Sequence, residues 1–191
     1  MMLNQTLYLG EISEIEITKG FGSQRSSSGG QIQVLSLSHL LNGEPSAKFT
    51  TQHEIDRQGT LRPQKNDVLL AVEGSVGGVY LVTGNEPAFV PSRQMVILRI
   101  SNSERLLSTY LAAWLASPNG QAALQLVARG TTLQRVSMND LLLVEIPIPS
   151  LARQKVIADR YVAFGDAIRA HEQIVETLRQ MRENDVLWRL Q

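Results

Sequence analysis

Apolar and polar residues alternate along the first half of the chain, then change to three- and four-residue spacing along its last part. Residues 7–20, "LYLGEISEIEITKG", open with an apolar stretch and pass into alternation, the two-residue period of a half-buried strand. "QIQVLSL" (31–37) alternates in the same way. "DVLLAV" (67–72) is a short apolar run that suits a buried strand, and it stops abruptly at "EGSVGG" (73–78), a turn with three glycines. "VYLVT" (79–83) is placed to pair back as a hairpin, and "MVILRI" (95–100) reads as a further strand. Between these, "GFGSQRSSSGG" (20–30) reads as a Gly/Ser loop, with Lys19 and Arg25 on either side of its start. Residues 42–66 read as polar and irregular, with Gly43, Pro45, Gly59 and Pro63 as breakers.

The helical period enters at "RLLSTYLAAWLAS", where Leu107, Tyr110, Leu111, Trp114 and Leu115 share one face. Pro118 and Gly120 are expected to break this helix, and "QAALQLVAR" to form a second, short one capped by Gly130. "TTLQRV" reads as a polar loop or short strand. "SMND" (137–140) has the spacing of a capping box, with Asp140 where Glu or Gln is usual. "LLLVEIPIP" then runs extended, and Pro147 and Pro149 exclude a central strand beyond that point.

Ser150 stands where an N-cap belongs. Beyond it, Ile157, Tyr161, Phe164, Ile168, His171, Val175 and Leu178 recur in alternating steps of four and three, a heptad seam. Arg160, Arg169, Glu172, Glu176, Arg179 and Glu183 fall on the other faces, and Met181, Leu187, Trp188 and Leu190 form an apolar tail. A helix over 151–189 spans roughly 55–60 Å at 1.5 Å per residue, longer than a small domain is wide. It cannot bury its seam on its own globule alone, and no second helix of similar length exists in the chain. Ile157 and Tyr161 lie near enough to the globule to pack on it. The outer seam calls for a helix from another molecule, most simply a second copy. The expected class is mixed α/β (α+β): a strand-rich domain over 1–149, then a long coiled-coil helix over 150–191.

Composition removes several alternatives. The chain has 191 residues and no cysteine, so it holds neither disulfides nor thiolate metal sites. Lys and Arg number 18, as do Asp and Glu, so bulk charge is not what would hold a nucleic acid. No apolar run approaches the ~20 residues that span a bilayer, and no secretory signal opens the chain, so the expected location is the cytoplasm. His39, His53 and His171 are far apart and lack metal-ligand spacing. There is no P-loop, dinucleotide fingerprint or nucleophile elbow, and a base methyltransferase's cofactor loop and Asn/Asp-Pro-Pro-aromatic motif are missing. Glu73 reads as a turn residue at a strand end, with no acid–base partner at recognisable spacing.

The order of elements resembles a target recognition domain of a type I restriction–modification specificity subunit, followed by one of its long helices. "LGEI" with Gly20 about ten residues later resembles the family's opening. "LRPQKNDVLLAVEGSVGGV" resembles its Gly-Asp-x-Leu…Gly-Ser-x-Gly core, with Asn66 where Gly is common. The segment from "YLAAWLAS" to "SLARQKVIA" resembles its most recognisable part, through Gly130, Thr131, Leu141, Ile146, Pro147, Pro149, Gln154, Ile157 and Ala158. Arg153 stands where the family usually has Glu. The resemblance covers nearly the whole chain. It implies recognition without catalysis and without a cofactor of the chain's own. S-adenosylmethionine would belong to a partner adenine methyltransferase (modification) subunit acting on double-stranded DNA, which a restriction translocase subunit could join. A full specificity subunit has two such units with antiparallel helices, so this chain resembles a half-subunit. It could rebuild the whole as a homodimer reading an inverted-repeat target, or by pairing with a different half.

Under that resemblance the loops are the expected readers of DNA. Candidates are Lys19, Arg25 and Ser26 in the first loop, and Arg57, Arg62 and Lys65 in the irregular stretch. Ser75 follows in the glycine turn, then Arg93, and then the densest cluster, Arg129, Thr131, Thr132, Gln134 and Arg135. Two other readings compete. One is a regulatory or degenerate half-subunit that dimerises or competes for the methyltransferase without reading DNA. The other is a stand-alone enzyme on an unrelated fold, which the missing motifs disfavour.

Overall fold

The computed structural model describes residues 5–22, 29–42 and 48–188, with side chains as far as Arg182. Its central strand is β5 (Val68–Ala71), in which Val68, Leu69 and Leu70 are completely buried. The unbroken apolar run has a simple cause: both faces of the strand are covered. Val68 and Leu70 point into one core, Leu69 and Ala71 into another. The same division holds in β8 (Met95–Ile100), where Val96 and Leu98 join the first core and Met95 and Ile97 the second.

β5 and β8 sit inside a four-stranded antiparallel sheet of order β2-β8-β5-β6, completed by β2 (Ile15–Lys19) and β6 (Val79–Leu81). The expected hairpin between residues 67–72 and 79–83 is thus present, with Val68 opposite Leu81. At the start of β5, Asp67 is buried and accepts both Nε (3.0 Å) and Nη2 (2.7 Å) of Arg99 from β8. Asn66, just before it, has φ 73°, the left-handed region that suits Gly or Asn, which accounts for glycine being common at that position of the resembling motif.

Residues 31–66 differ from the expectation. β3 (Ile32–Leu35) ends early and Leu37 begins a short helix, α1 (Leu37–Asn42). The stretch expected to be irregular holds β4 (Phe49–Thr50) and α2 (Gln52–Gln58). Thr51 caps α2 by accepting the Glu54 N–H, and Gly59 ends it at φ 63°. β7 (Phe89–Pro91), also not anticipated, runs parallel to β3, whose other edge pairs with β4. Phe21, Ile32, Val34, Ile55 and Val90 form a small core beneath this three-stranded sheet.

The amphipathic helix is α3 (Ser108–Ala116), which lies against the central sheet with Tyr110, Leu111, Ala112 and Leu115 buried. Pro118 does end α3, yet it is the first residue of α4 (Pro118–Val127) rather than part of a break before it. Ser117 caps α4 through the Gly120 N–H, and its C-cap is Ala128, not Gly130. Gly130, at φ 97°, turns the following loop instead. Ser137 caps α5 (Met138–Leu141) through the Asp140 N–H, as the spacing implied. β9 (Glu145–Ile148) pairs with β1 (Gln5–Tyr8), in what is among the described residues a two-stranded sheet that tolerates Pro147 opposite Thr6.

α6 (Leu151–Trp188) runs for 38 residues. Its first turns lie on α3 through Gln154, Ala158 and Tyr161. Ile157, expected on the globule, is instead 36% exposed, because the inward stripe runs 154, 158, 161 and passes beside it.

Candidate nucleic-acid interface

Lys19 ends β2, and the chain then turns under the segment 91–92, where Phe21 N–H donates to Pro91 O at 2.7 Å. Gly20 is required there, since a Cβ would lie 2.1 Å from Ser92 O. Glu73 leaves the far end of β5 and is held from two sides. Its N–H donates to Gln94 O (3.2 Å), while Val136 N–H donates to Val72 O and Gly74 N–H to Gln134 O. The glycine turn and the loop 129–135 therefore form one surface. Arg129 and Arg135 close the loop by exchanging backbone hydrogen bonds of 2.9 and 2.8 Å. Thr131, Thr132 and Leu133 stand exposed at its tip, Ser75 is exposed on the adjoining turn, and Gln134 donates to Gln125 Oε1 at 3.0 Å.

A groove of about 400 Å³ opens beside this surface, lined by Thr18, Lys19, Gly22, Gln58, Thr60, Glu73, Arg93 and Arg135. A contiguous cavity of about 280 Å³ shares Lys19, Glu73, Arg93 and Arg135 and continues to α5. Three cations thus line a groove with one carboxylate, and two of them lie close to it. Glu73 Oε1 lies 3.8 Å from Arg93 Nη2 and Oε2 lies 4.0 Å from Arg135 Nε. The carboxylate side chain is 14% exposed, the two guanidinium side chains 53% and 69%.

Three of the expected readers, Lys19, Arg93 and Arg135, are therefore brought together from distant parts of the chain. Arg57 precedes Gln58 on α2 but does not line the groove. Arg62 and Lys65 lie before β5, at the opposite end of that strand from Glu73, and the Arg62 carbonyl accepts Arg99 Nη2. Arg129 turns away to Asp140, 3.2 Å distant. Its guanidinium, together with the Ser137 hydroxyl, holds the Asp140 carboxyl below the usual carboxylate range. Arg25 and Ser26 lie outside the described residues. Sequence reading set Glu73 aside as a turn residue and missed Gln58 and Thr60. The carboxylate's partners are 20 and 62 positions away by numbering, and α2, which delivers Gln58, was itself unforeseen. Among the described residues no group of His, Cys, Asp or Glu could hold a metal ion.

On α6, Phe164 (69% exposed), Ile168 (58%) and Leu178 (59%) stand in solvent with Val175 and His171, so the outer seam has no partner among the described residues. Ile174 and Met181 widen the apolar strip. The side chains of Leu187, Trp188 and Leu190 lie outside the described residues, and no described helix is long and apolar enough to cross a membrane.

Residues 3–180 match the sequence profile described as "type I restriction modification DNA specificity domain". A Haemophilus influenzae protein named as a type I restriction enzyme specificity subunit is 26% identical over 154 residues, 80% of this chain and 38% of that protein. The fold is similar to the type I restriction–modification S subunit from M. genitalium, at TM-score 0.66 and 19% identity over 96% of this chain and 46% of the other. It is also similar to the HsdS subunit of Thermoanaerobacter tengcongensis, at TM-score 0.58 and 19% identity over 87% of this chain and 38% of the other. The chain thus spans less than half the length of each of these relatives.

Proposed function

The chain belongs to the type I restriction modification DNA specificity domain family, and on that premise we propose that it is the non-catalytic DNA-recognition component of an adenine-methylating type I complex. Residues 1–149 serve as the target recognition domain and residues 150–191 as the dimerisation helix. Two copies pair through Ile157, Phe164, Ile168, His171, Val175 and Leu178, while Tyr161 at the inner end of the seam packs on the chain's own core. A two-fold dimer then reads an inverted repeat split by a fixed spacer. The groove and the surface of loop 129–135 approach the duplex, with Arg57 near by on α2, while Arg62 and Lys65 at the other end of β5 would reach DNA phosphates only away from the groove. The methyl donor, S-adenosylmethionine, and the flipped adenine belong to the methyltransferase subunit in the cytoplasm.

The observation that carries this reading is the division of surfaces. Cations converge on one groove of the globule, while an apolar heptad strip on a helix about 57 Å long faces solvent. Zero net charge favours a second reading, a dimerising competitor for the methyltransferase that does not hold DNA. Affinity purification of the tagged chain from its native host, with mass spectrometry of the retained proteins, tests both. Recovery of an adenine methyltransferase, together with a split methylation motif in the genome and DNA binding that falls steeply with salt, is the expected result. Recovery of the methyltransferase with no motif and no DNA binding selects the competitor. The bait alone, from cells expressing that methyltransferase, overturns both.

A further inference from the structure

The Glu73 carboxylate is a liability in a surface that attracts phosphates, because it cancels one of the three cations lining the groove. Stability does not explain it. Ion pairs at 3.8 and 4.0 Å to guanidiniums that are more than half exposed hold a fold together only weakly. What the geometry does provide is position. The backbone around Glu73 is fixed by the bonds to Gln94, Gln134 and Val136. Its carboxylate sits beneath the two arginines, one oxygen toward each, and those arginines come from separate segments, the turn after β7 and the loop 129–135. One carboxylate on a fixed backbone therefore lies between two long side chains from separate segments and favours the rotamers that bring both guanidiniums towards it.

We infer that Glu73 is a specificity-determining positioning residue: it weakens the groove's general attraction for DNA and in exchange aims Arg93 and Arg135 at base edges. Paired guanidinium donors of this kind match the O6 and N7 acceptors of guanine, so the groove reads guanine-containing steps of the target. This rests on the DNA-recognition reading, and it assigns opposite signs to two quantities that a bland role would move together. Removing the carboxylate's charge strengthens binding to arbitrary duplex and erodes the preference for the target.

The test uses the full-length protein and a pool of randomised duplexes, with the enriched motif and the retained fraction of non-target DNA read for each variant. Wild type enriches a motif. Glu73→Gln binds non-target duplex about two- to threefold more tightly at low salt, in keeping with one less repulsive charge. Its preference for the motif falls about tenfold or more, the scale of one lost base contact. The blurred base pairs are those blurred by Arg93→Gln and Arg135→Gln, and in the Arg93→Gln/Arg135→Gln background Glu73→Gln removes no further preference. Glu73→Asp, which keeps the charge on a shorter stem, restores part of the preference. Tighter binding with the motif intact overturns the inference, and so does parallel loss of target and non-target binding with a lowered melting temperature. A wild-type protein that enriches no motif overturns the recognition reading itself, in an arm that contains no variant.

Discussion

The Gln154 side-chain carbonyl accepts the N–H of Leu107 at 2.9 Å, tying the first turn of α6 to the residue that opens α3. Gln154 is fully buried, and its amide nitrogen donates to Arg105 O (2.8 Å) and Pro149 O (2.9 Å). The Leu107 N–H stands at the start of α3, where the helix offers it no acceptor, and Gln154 supplies one from across the fold. We expect Gln154→Ala to lower stability by roughly 2–4 kcal/mol, since it strands a donor and two acceptors away from water. Urea unfolding followed by Trp fluorescence measures this, and a loss below about 0.5 kcal/mol would contradict the role given to Gln154.

Asp67 and Arg99 make the second such tie, across β5 and β8. Asp67 also accepts the Gln64 N–H at 2.7 Å, so its carboxylate organises the chain entering the central strand. Burial opposes the charge on Arg99, but the hydrogen bond to Asp67 outweighs it and raises the guanidinium's pKa further. Asp67→Ala is expected to cost roughly 3–5 kcal/mol, because it leaves a partly buried cation without its counter-charge. Asp67→Ala/Arg99→Met should recover part of that loss. Equal stability of the single and double variants in urea would show that the pair does not act as a unit.

Glu86 gives stability a pH dependence. Burial pushes its carboxyl up, but donations from the backbone at Thr83, from its own segment, and from the Tyr80 and Thr83 hydroxyls together bring it down to about 2 from an ordinary 4.5. Burial, and then the bond to Glu86, raise the Tyr80 phenol. A depressed carboxyl stabilises the fold above pH 4.5, and that contribution fades as pH falls towards 2. Because Glu86 is partly exposed, solvent screening limits it to on the order of 1 kcal/mol. Unfolding midpoints of wild type and Glu86→Gln should differ near neutrality and converge over that acidic window. A gap that persists at pH 2 would assign the difference to packing.

The outer seam makes its own prediction. Ile168 is exposed in the single chain, so Ile168→Asp should leave the globule's stability within about 0.5 kcal/mol of wild type. Sedimentation at micromolar concentration should nevertheless show a dimer for wild type and a monomer for the variant, because the charge falls in a desolvated seam. Wild type sedimenting as a monomer at every concentration would overturn pairing between two copies of this chain.

The sequence shows a feature most plainly where one local pattern decides the structure. β5 and β8 declare themselves because both of their faces are buried, and the heptad of α6 because its stripe runs unbroken past the globule. α2 escapes because most of its residues face water, so only Ile55 among them is buried and no periodic face appears. Its real signals are local, Thr51 at the start and Gly59 at the end, and the latter reads equally well as a breaker. The groove escapes for a different reason. Lys19, Gln58, Glu73, Arg93 and Arg135 meet only because β2, β8 and β5 lie side by side and the loop 129–135 closes over the end of β5. No spacing along the chain encodes that meeting. Asn66 lies between these cases, since a departure from glycine in a familiar motif already marks the left-handed backbone that the structure displays.

The pairing of β1 with β9 also sets a timetable. Gln5 faces Ile148 and Tyr8 faces Glu145, so the first described strand has no partner until nearly the whole globule has been synthesised. At about 5–20 residues per second, that wait on the ribosome is on the order of ten seconds. During it, Leu9 and Ile12 lack the walls of their core that Val144, Ile146 and Ile148 later supply. α6 emerges directly afterwards, so in a newborn chain the globule can close before the seam that seeks another molecule is complete.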